Sequence, residues 1–201
     1  MRTIEVTVTY IDELLGTASA DPDIHARFIA SKAPDAPSRE DEVAALGAEA
    51  VEERAMTVFP RMEDGRPFTY DYQWKGFFKD SCGMLRRADK TRSKSLKAYK
   101  KEIDGLVFVS PRHIPLVLPE GATIGECQRP LRAQTAQGER VALAHSETVP
   151  AGTTQTFQVH VLRDDLMPLV LEWLAYGRLH GTGQWRNSGK GRFTHVCRDV
   201  E

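Results

Sequence analysis

The sequence predicts an α+β fold whose sheet is antiparallel and has one open face. Residues 2–10 alternate with period two and place Ile4, Val6, Val8 and Tyr10 on one side, as in a half-buried strand. Helical patterns separate this strand from later ones, so both halves of the chain contain strand–helix–strand units. The strands alternate rather than forming continuous apolar runs, which indicates that only one face of the sheet is buried.

The first half contains the less regular elements. Asp21-Pro22 predicts the start of a short helix, because Pro is favoured in a first helical turn. Asp64-Gly65 predicts a turn that joins Thr57–Pro60 and Phe68–Tyr70 into a hairpin. The other segments predicted here are a loop over 31–42, a helix over 40–55, a helix over 75–88 and its basic continuation over 89–104, as helix or mobile loop.

The second half repeats the pattern more clearly. Pro111, Pro115 and Pro119 argue against a central strand in residues 111–121. A helix carries Leu166, Leu169, Val170, Trp173 and Leu174 and is expected to end at Gly177. The strands predicted around these features are 106–109, a hairpin over 127–145 that turns at Gln137-Gly138, 156–161 and 193–197.

Composition indicates an ordinary soluble globular protein. The 201 residues are 41% hydrophobic and 27% charged. No apolar run approaches the roughly 20 residues of a membrane span, and the first residues lack the apolar block of a signal peptide. Cys82, Cys127 and Cys197 are too scattered for a disulfide framework or a zinc site. A cytoplasmic protein without membrane contact is expected, and scattered histidines predict neither a metal nor a cofactor.

The net charge of −1 conceals a strongly uneven distribution. Residues 1–66 carry 7 basic and 14 acidic side chains, a balance of −7, and residues 67–101 carry 10 and 3, a balance of +7. The remaining residues, 102–201, carry 10 and 11, a balance of −1. A basic central stretch of this kind is typical of nucleic-acid binding.

A glycine-rich loop lies between the last predicted helix and the last predicted strand. Residues 181–193 contain Trp185 and four glycines, which allow positive φ and close backbone approach. The loop leads into a strand rather than a helix, so it is not a P-loop. Its glycines and cations are Gly181, Gly183, Gly189, Gly191, Arg186, Lys190 and Arg192.

Three motifs in order resemble the repeat-associated RNA-binding (RAMP) superfamily, which builds the backbones of CRISPR effector complexes. The glycine-rich loop resembles that family's C-terminal motif. Residues 72–79, Tyr-Gln-Trp-Lys-Gly-Phe-Phe-Lys, resemble the "Ser-x-Lys-Gly-x-x-Arg" start of a helix. Residues 147–153, Glu-Thr-Val-Pro-Ala-Gly-Thr, resemble the stretch where the chain enters its second ferredoxin-like strand.

The resemblance covers about half of the chain: residues 1–20, 68–88 and 145–197. The chain departs from the helix motif, because Gln-Trp precedes Lys75-Gly76 and Lys79 stands where Arg is commoner. The resemblance implies a ferredoxin-like (RRM-like) core within one module over 1–201, with insertions at about 21–66 and 89–144.

The candidate RNA-binding side chains come from the helix motif, the basic run and the loop: Lys75, Lys79, Arg86, Arg87, Lys90, Arg92, Lys94, Trp185, Arg186, Lys190 and Arg192. The basic run, which extends to Lys97, Lys100 and Lys101, contains Asp89 as its one acid, so i,i+4 pairing does not account for it. Tyr99 is its one aromatic residue, so the run does not predict base stacking.

Two candidates have structural alternatives. Lys75-Gly76 is predicted to begin a helix, where Lys75 either contacts phosphate or is solvated while Gly76 allows close packing on the sheet. Trp185 either stacks on a base or seals the helix against the sheet. The loop glycines are assigned a structural role, a tight approach to the first helix or to RNA.

Catalysis has weaker support. The superfamily's processing ribonucleases place a His near the first helix, which implies His25, and some backbone subunits cut RNA with an Asp after the first strand, which implies Asp21 or Asp23. No second acid accompanies His25. A cleavage assay with all three replaced by Ala separates this endoribonuclease hypothesis from RNA binding.

The favoured function is a non-catalytic, backbone-type RNA-binding subunit of a CRISPR-like ribonucleoprotein. The RNA is a guide or a target, and the partners are other RAMP-like subunits or copies of the chain, with the acidic first third against the basic middle of the next copy. The alternative is a virus-encoded mimic that inhibits a host effector, which co-purification with an effector but no RNA would indicate.

Overall fold

The computed structural model describes residues 1–20, 56–135 and 138–200. The principal helices are α1 (Asp71–Leu85), α2 (Tyr99–Leu106) and α3 (Met167–His180). The strands are β1 (Arg2–Tyr10), β2 (Leu14–Leu15), β3 (Ala18–Ser19), β4 (Thr57–Val58), β5 (Phe68–Tyr70), β6 (Val107–Ser110), β7 (His113–Pro115), β8 (Gly125–Thr135), β9 (Gly138–Val149), β10 (Thr154–Val161) and β11 (Phe193–Val200). The helices predicted at 21–29 and 40–55 lie outside the described residues.

A four-stranded antiparallel sheet has the order β11–β1–β10–β6. Residues 147–153 lead into β10, which is the third strand of this sheet in chain order and not the second strand that the resemblance implied. In chain order the four strands are β1, β6, β10 and β11, with α1 after the first and α3 after the third. This βαββαβ arrangement with order 4-1-3-2 is ferredoxin-like and confirms the predicted fold class.

The buried face of this sheet follows from the alternation seen in the sequence. Ile4, Val6, Val8 and Tyr10 are all at most 3% exposed. Their neighbours on β1 point to the opposite, half-exposed face. The helices pack on the buried face, where the rings of Trp74 and Phe157 lie 4.4 Å apart.

The last helix continues past its expected end. Gly177 lies inside α3, which continues to His180. An added Cβ at Gly177 would come within 2.1 Å of the Phe193 ring. Only glycine lets the helix approach β11 so closely. The cap is Gly181, with φ of 72°, so the prediction that Gly177 ends the helix was wrong.

The predicted hairpin around Asp64-Gly65 forms only next to its turn, where Phe68 N donates to Pro60 O at 3.0 Å and Arg61 pairs with Pro67. The turn forms, with Gly65 N donating to Met62 O at 2.9 Å. However, β5 pairs with β7, and β4 pairs with β3 and β9. Neither strand therefore has the other as its main partner.

The chain divides into two compact units. The first comprises Met1–Leu14, Pro60–Thr123 and Val149–Glu201, and it contains the ferredoxin-like sheet. The second comprises Leu15–Phe59 and Ile124–Thr148 and contains the long antiparallel β8–β9 pair, as predicted for a hairpin over 127–145. The single-module assignment with two insertions stays a prediction, and β6 lies within the second insertion range.

Candidate nucleic-acid interface

The basic segment, residues 86–101, is a folded part of the first unit. α1 ends at Leu85, a short 3-10 helix spans Arg92–Ser95, and α2 begins at Tyr99. The Arg86 guanidinium lies 5.1 Å from the centre of the Tyr99 ring and thereby joins the two ends of the segment. The predicted basic continuation is therefore part turn, part 3-10 helix and part α-helix.

Glu172 of α3 fixes the centre of this segment. Its carboxylate accepts hydrogen bonds from the backbone N of Arg92 at 2.7 Å and of Ser93 at 3.0 Å, and from Ser93 Oγ at 2.6 Å. Trp173 Nε1 donates to Ser93 Oγ at 2.9 Å. A part-buried carboxylate contact of this kind positions the 3-10 helix, whose first N–H groups have no partner within the helix.

Most cations of the segment point to solvent. Within the part of the chain that the structure describes, six exposed side chains have no carboxylate partner: Arg87, Lys90, Arg92, Lys97, Lys100 and Lys101. Lys94 pairs with Asp89 at 2.6 Å, and both side chains are more than half exposed. The segment is thus a fixed array of available positive charge.

Lys75 and Lys79 have a different environment. Lys75 Nζ donates to the Asp104 carbonyl at 2.9 Å and lies 4.7 Å from the centre of the Phe108 ring. Lys79 Nζ contacts the Asp104 carboxylate at 2.9 Å. Burial lowers the pKa of Lys75. Both ammonium groups therefore stabilise the C-terminal end of α2, where helix carbonyls lack partners.

The predicted helix start at Lys75-Gly76 is incorrect. α1 begins at Asp71, and Tyr70 and Gln73 form its capping box. An added Cβ at Gly76 would meet nothing within 4 Å, so Gly76 does not serve close packing on the sheet.

The glycine-rich loop closes on itself. Thr182 and Gly191 join through a backbone hydrogen bond of 2.9 Å, and Gly191 N donates to Glu13 O at 2.8 Å. A Cβ on Gly191 would lie 2.0 Å from Thr182 O, and one on Gly181 would lie 2.5 Å from Lys190 O. The close approach that these glycines allow is to the loop's own backbone. The first predicted helix, the other neighbour expected for them, lies outside the described residues. Gly183 and Gly189 also have positive φ, of 76° and 83°.

Each cation of the loop contacts an acid from elsewhere in the first unit. Lys190 Nζ lies 2.6 Å from Glu13, and Arg192 Nε lies 2.7 Å from Asp12. Arg186 contacts Asp80, which also contacts His180 Nε2 at 2.6 Å. Burial raises the pKa of Asp80, but the hydrogen bonds from His180 and Arg186 outweigh burial and hold that pKa below its usual value. A phosphate must compete with these carboxylates for the same cations.

Trp185 does not fill the core. It is 40% exposed, whereas Trp74 and Trp173 are at most 2% exposed. Its φ of 54° is left-handed, which is rare for a bulky residue. The interpretation of Trp185 as a seal between helix and sheet is therefore wrong.

The remaining candidates lie outside the described residues: Asp21, Asp23 and His25. Within the described ranges, no three His, Cys, Asp or Glu side chains cluster as metal ligands would. No described helix has both the length and the hydropathy required to cross a membrane.

Sequence reasoning missed the acidic partners that decide which cations are available. In the sequence these acids contribute only to the net charge. In the structure three of them, Asp12, Glu13 and Asp80, neutralise loop cations, and the fourth, Glu172, orders the basic segment. No local signal identifies them, because each contact joins residues at least 79 positions apart.

This chain is similar to known proteins in structure, but not in sequence. No family model and no curated protein sequence matches this chain. A chain in the cryo-EM structure of the type III-B Cmr-beta complex bound to cognate target RNA aligns with a TM-score of 0.61 and 10% identity, over 100% of this chain and 61% of that chain. A chain of a type IV-B CRISPR complex aligns with a TM-score of 0.46 and 11% identity, over 98% and 90% of the two chains.

The chain therefore spans about three fifths of the Cmr-beta chain that it matches. At 10% identity the likeness establishes the fold. The predicted resemblance to subunits of CRISPR effector complexes is confirmed at that level.

Proposed function

We propose that this protein is a non-catalytic RNA-binding component of a CRISPR-like ribonucleoprotein, of the backbone type. The observation that carries the proposal is the basic segment, residues 86–101, held in one conformation by Glu172 with six exposed cations that lack carboxylate partners among the described residues. Ordered, unneutralised cations are what a sugar–phosphate track requires.

The contacts rank the candidate residues. Arg87, Lys90 and Arg92 are exposed and available, so they supply the principal phosphate contacts, with Lys97, Lys100 and Lys101 extending the track. Arg186, Lys190 and Arg192 contribute only after exchange of their carboxylate partners. Lys75 and Lys79 mainly hold α2.

The fold supports the same assignment. The matched chain belongs to a complex that was solved with target RNA. On its inner strand β1, the open sheet face of this protein carries Thr3, Glu5 and Thr7 rather than the aromatic rings with which RRM sheets stack bases. The exposed Phe108 ring lies on the edge strand β6 and already has the Lys75 ammonium 4.7 Å from its centre. Binding through the basic segment and the backbone of RNA fits these residues better than base recognition on the sheet.

The test measures the salt dependence of binding to a single-stranded RNA by fluorescence anisotropy. The double variant Arg87→Gln/Lys90→Gln is expected to weaken binding and to reduce the slope of log K against log salt by about 1.4, at about 0.7 per phosphate contact. The matched control is Arg2→Gln/Arg163→Gln, which removes the same charge from two half-exposed arginines that are already ion-paired. Equal losses in both variants, or no binding by the parent protein, would refute the proposal.

A further inference from the structure

A cluster of aromatic and guanidinium groups lies at the surface where α1 begins. We define the aromatic platform as Tyr70, Tyr72, Arg112 and His113. The rings of Tyr70 and Tyr72 are stacked, with centroids 5.1 Å apart and planes 17° apart. The Arg112 guanidinium lies 5.5 Å and 5.3 Å from the two ring centres. The platform belongs to the first unit and lies outside the basic segment.

Ring contacts with a buried side chain and an ion pair hold the platform in place. The buried Phe68 ring lies 4.4 Å from the His113 ring and 5.0 Å from the Tyr70 ring. Arg112 Nη1 contacts the Asp71 carboxylate at 2.6 Å. Backbone pairing of Tyr70 with His113 fixes the two strands, β5 and β7, that carry these two rings. The rings are therefore presented in a preorganised geometry.

The side chains of the platform are accessible to solvent. His113 and Arg112 are exposed, and Tyr70 and Tyr72 are half-exposed. Asp71 already compensates the charge of Arg112, so a phosphate gains little there. Flat rings beside a planar, charge-compensated guanidinium favour a flat, uncharged partner through stacking.

We infer that the aromatic platform stacks a nucleobase of bound single-stranded RNA. The inference rests on the proposed RNA-binding function and adds a base contact to a phosphate track. Because every base has a π face, the contact is expected to tolerate any sequence. Tyr72 and His113 carry the contact, while Arg112 and Phe68 position them.

The experiment compares two labelled oligomers of equal length, a uridine RNA and an abasic ribose–phosphate chain, by fluorescence anisotropy. The parent protein should bind the uridine RNA at least about 5-fold more tightly, because one stacked base contributes about 1–3 kcal/mol. His113→Ala and Tyr72→Leu should each reduce that preference and leave abasic binding unchanged. Tyr176→Leu, which removes a half-exposed ring stacked on His180, should leave the preference unchanged.

The outcomes separate this inference from the proposed function. Equal binding of the two oligomers by the parent protein overturns base stacking and leaves phosphate binding intact. Loss of self-association in light scattering, with RNA preference retained in the platform variants, also overturns it and identifies a protein interface. If the parent protein binds neither oligomer, both proposals are wrong. Thermal unfolding of the exposed-site variant His113→Ala checks that any loss is not caused by misfolding.

Discussion

The carboxylate of Glu172 accepts two hydrogen bonds from Ser93, from its backbone N at 3.0 Å and from its Oγ at 2.6 Å. Ser93 is fully buried, although it lies in the middle of the most basic stretch of the chain. One acid of α3 therefore orders a segment most of whose cations face solvent.

Replacing Glu172 with Ala should destabilise the protein by roughly 1–3 kcal/mol, because it leaves buried donors without an acceptor. Urea unfolding measures the loss, and hydrogen exchange at the Ser93 amide should become faster than in the parent protein. The control is Glu120→Ala, because Glu120 is exposed and its carboxylate makes no hydrogen bond or ion pair with another described residue. This variant should change the free energy of unfolding by less than about 0.5 kcal/mol. Unchanged exchange at Ser93 would contradict this role of Glu172.

Two glycines with the same backbone conformation should respond very differently to Ala. Gly191 and Gly65 have φ of 71° and 84°, so both substitutions carry the left-handed cost of about 1–2 kcal/mol. Only at Gly191 would the new Cβ also lie 2.0 Å from a carbonyl oxygen, whereas at Gly65 it meets nothing within 4 Å. Gly191→Ala should therefore cost more than about 4 kcal/mol, beyond the usual range for single substitutions. Thermal or urea unfolding of the two variants gives the comparison, and equal losses would show that the loop backbone can move apart.

The sequence predicted the principal strands because burial on one face imposes period two. Ile4, Val6 and Val8 needed no knowledge of their partners to be assigned to a buried face. The partners of β4 and β5 were not predictable, because the local turn at Asp64-Gly65 favours a hairpin while pairing with β9 and β7 depends on distant residues.

The site was predicted only in part, for a similar reason. Positive charge is visible in sequence, but its availability depends on contacts such as Arg192 with Asp12, 180 positions away. Gly177 gave a local cap signal that a tertiary contact overrode, since Phe193 requires a glycine inside the helix. The aromatic platform joins residues some 40 positions apart and has no local pattern at all.

Gly76→Ala should stabilise the protein. Gly76 is exposed within α1, and a Cβ there would enter open space. Replacing such a glycine with Ala gains about 0.5–1 kcal/mol, because Ala loses less conformational freedom in a helix. The melting temperature should rise by about 1–4 °C in differential scanning calorimetry.

Gly177→Ala is the matched helical control, since its Cβ would lie 2.1 Å from the Phe193 ring, and it should destabilise the protein strongly. A melting temperature lowered by Gly76→Ala would mean that Gly76 serves a contact beyond the described residues.

Asp80 should make stability depend on pH in the acidic range. Its pKa is lowered in the folded protein, because hydrogen bonds from His180 and Arg186 favour the carboxylate and outweigh burial, which raises the pKa. A carboxyl with a lowered folded pKa stabilises the fold above its unfolded pKa, near 3.8, and this contribution is lost as the pH falls through the folded pKa. Asp80→Asn should therefore be less stable than the parent protein at pH 6, and the difference should shrink towards pH 3.

Urea unfolding at several pH values measures both proteins. The control is Asp89→Asn, since Asp89 is 87% exposed and its ion pair with Lys94 contributes little. A difference that stays constant from pH 6 to pH 3 would show that the Asp80 carboxylate does not stabilise the junction of the loop with α1.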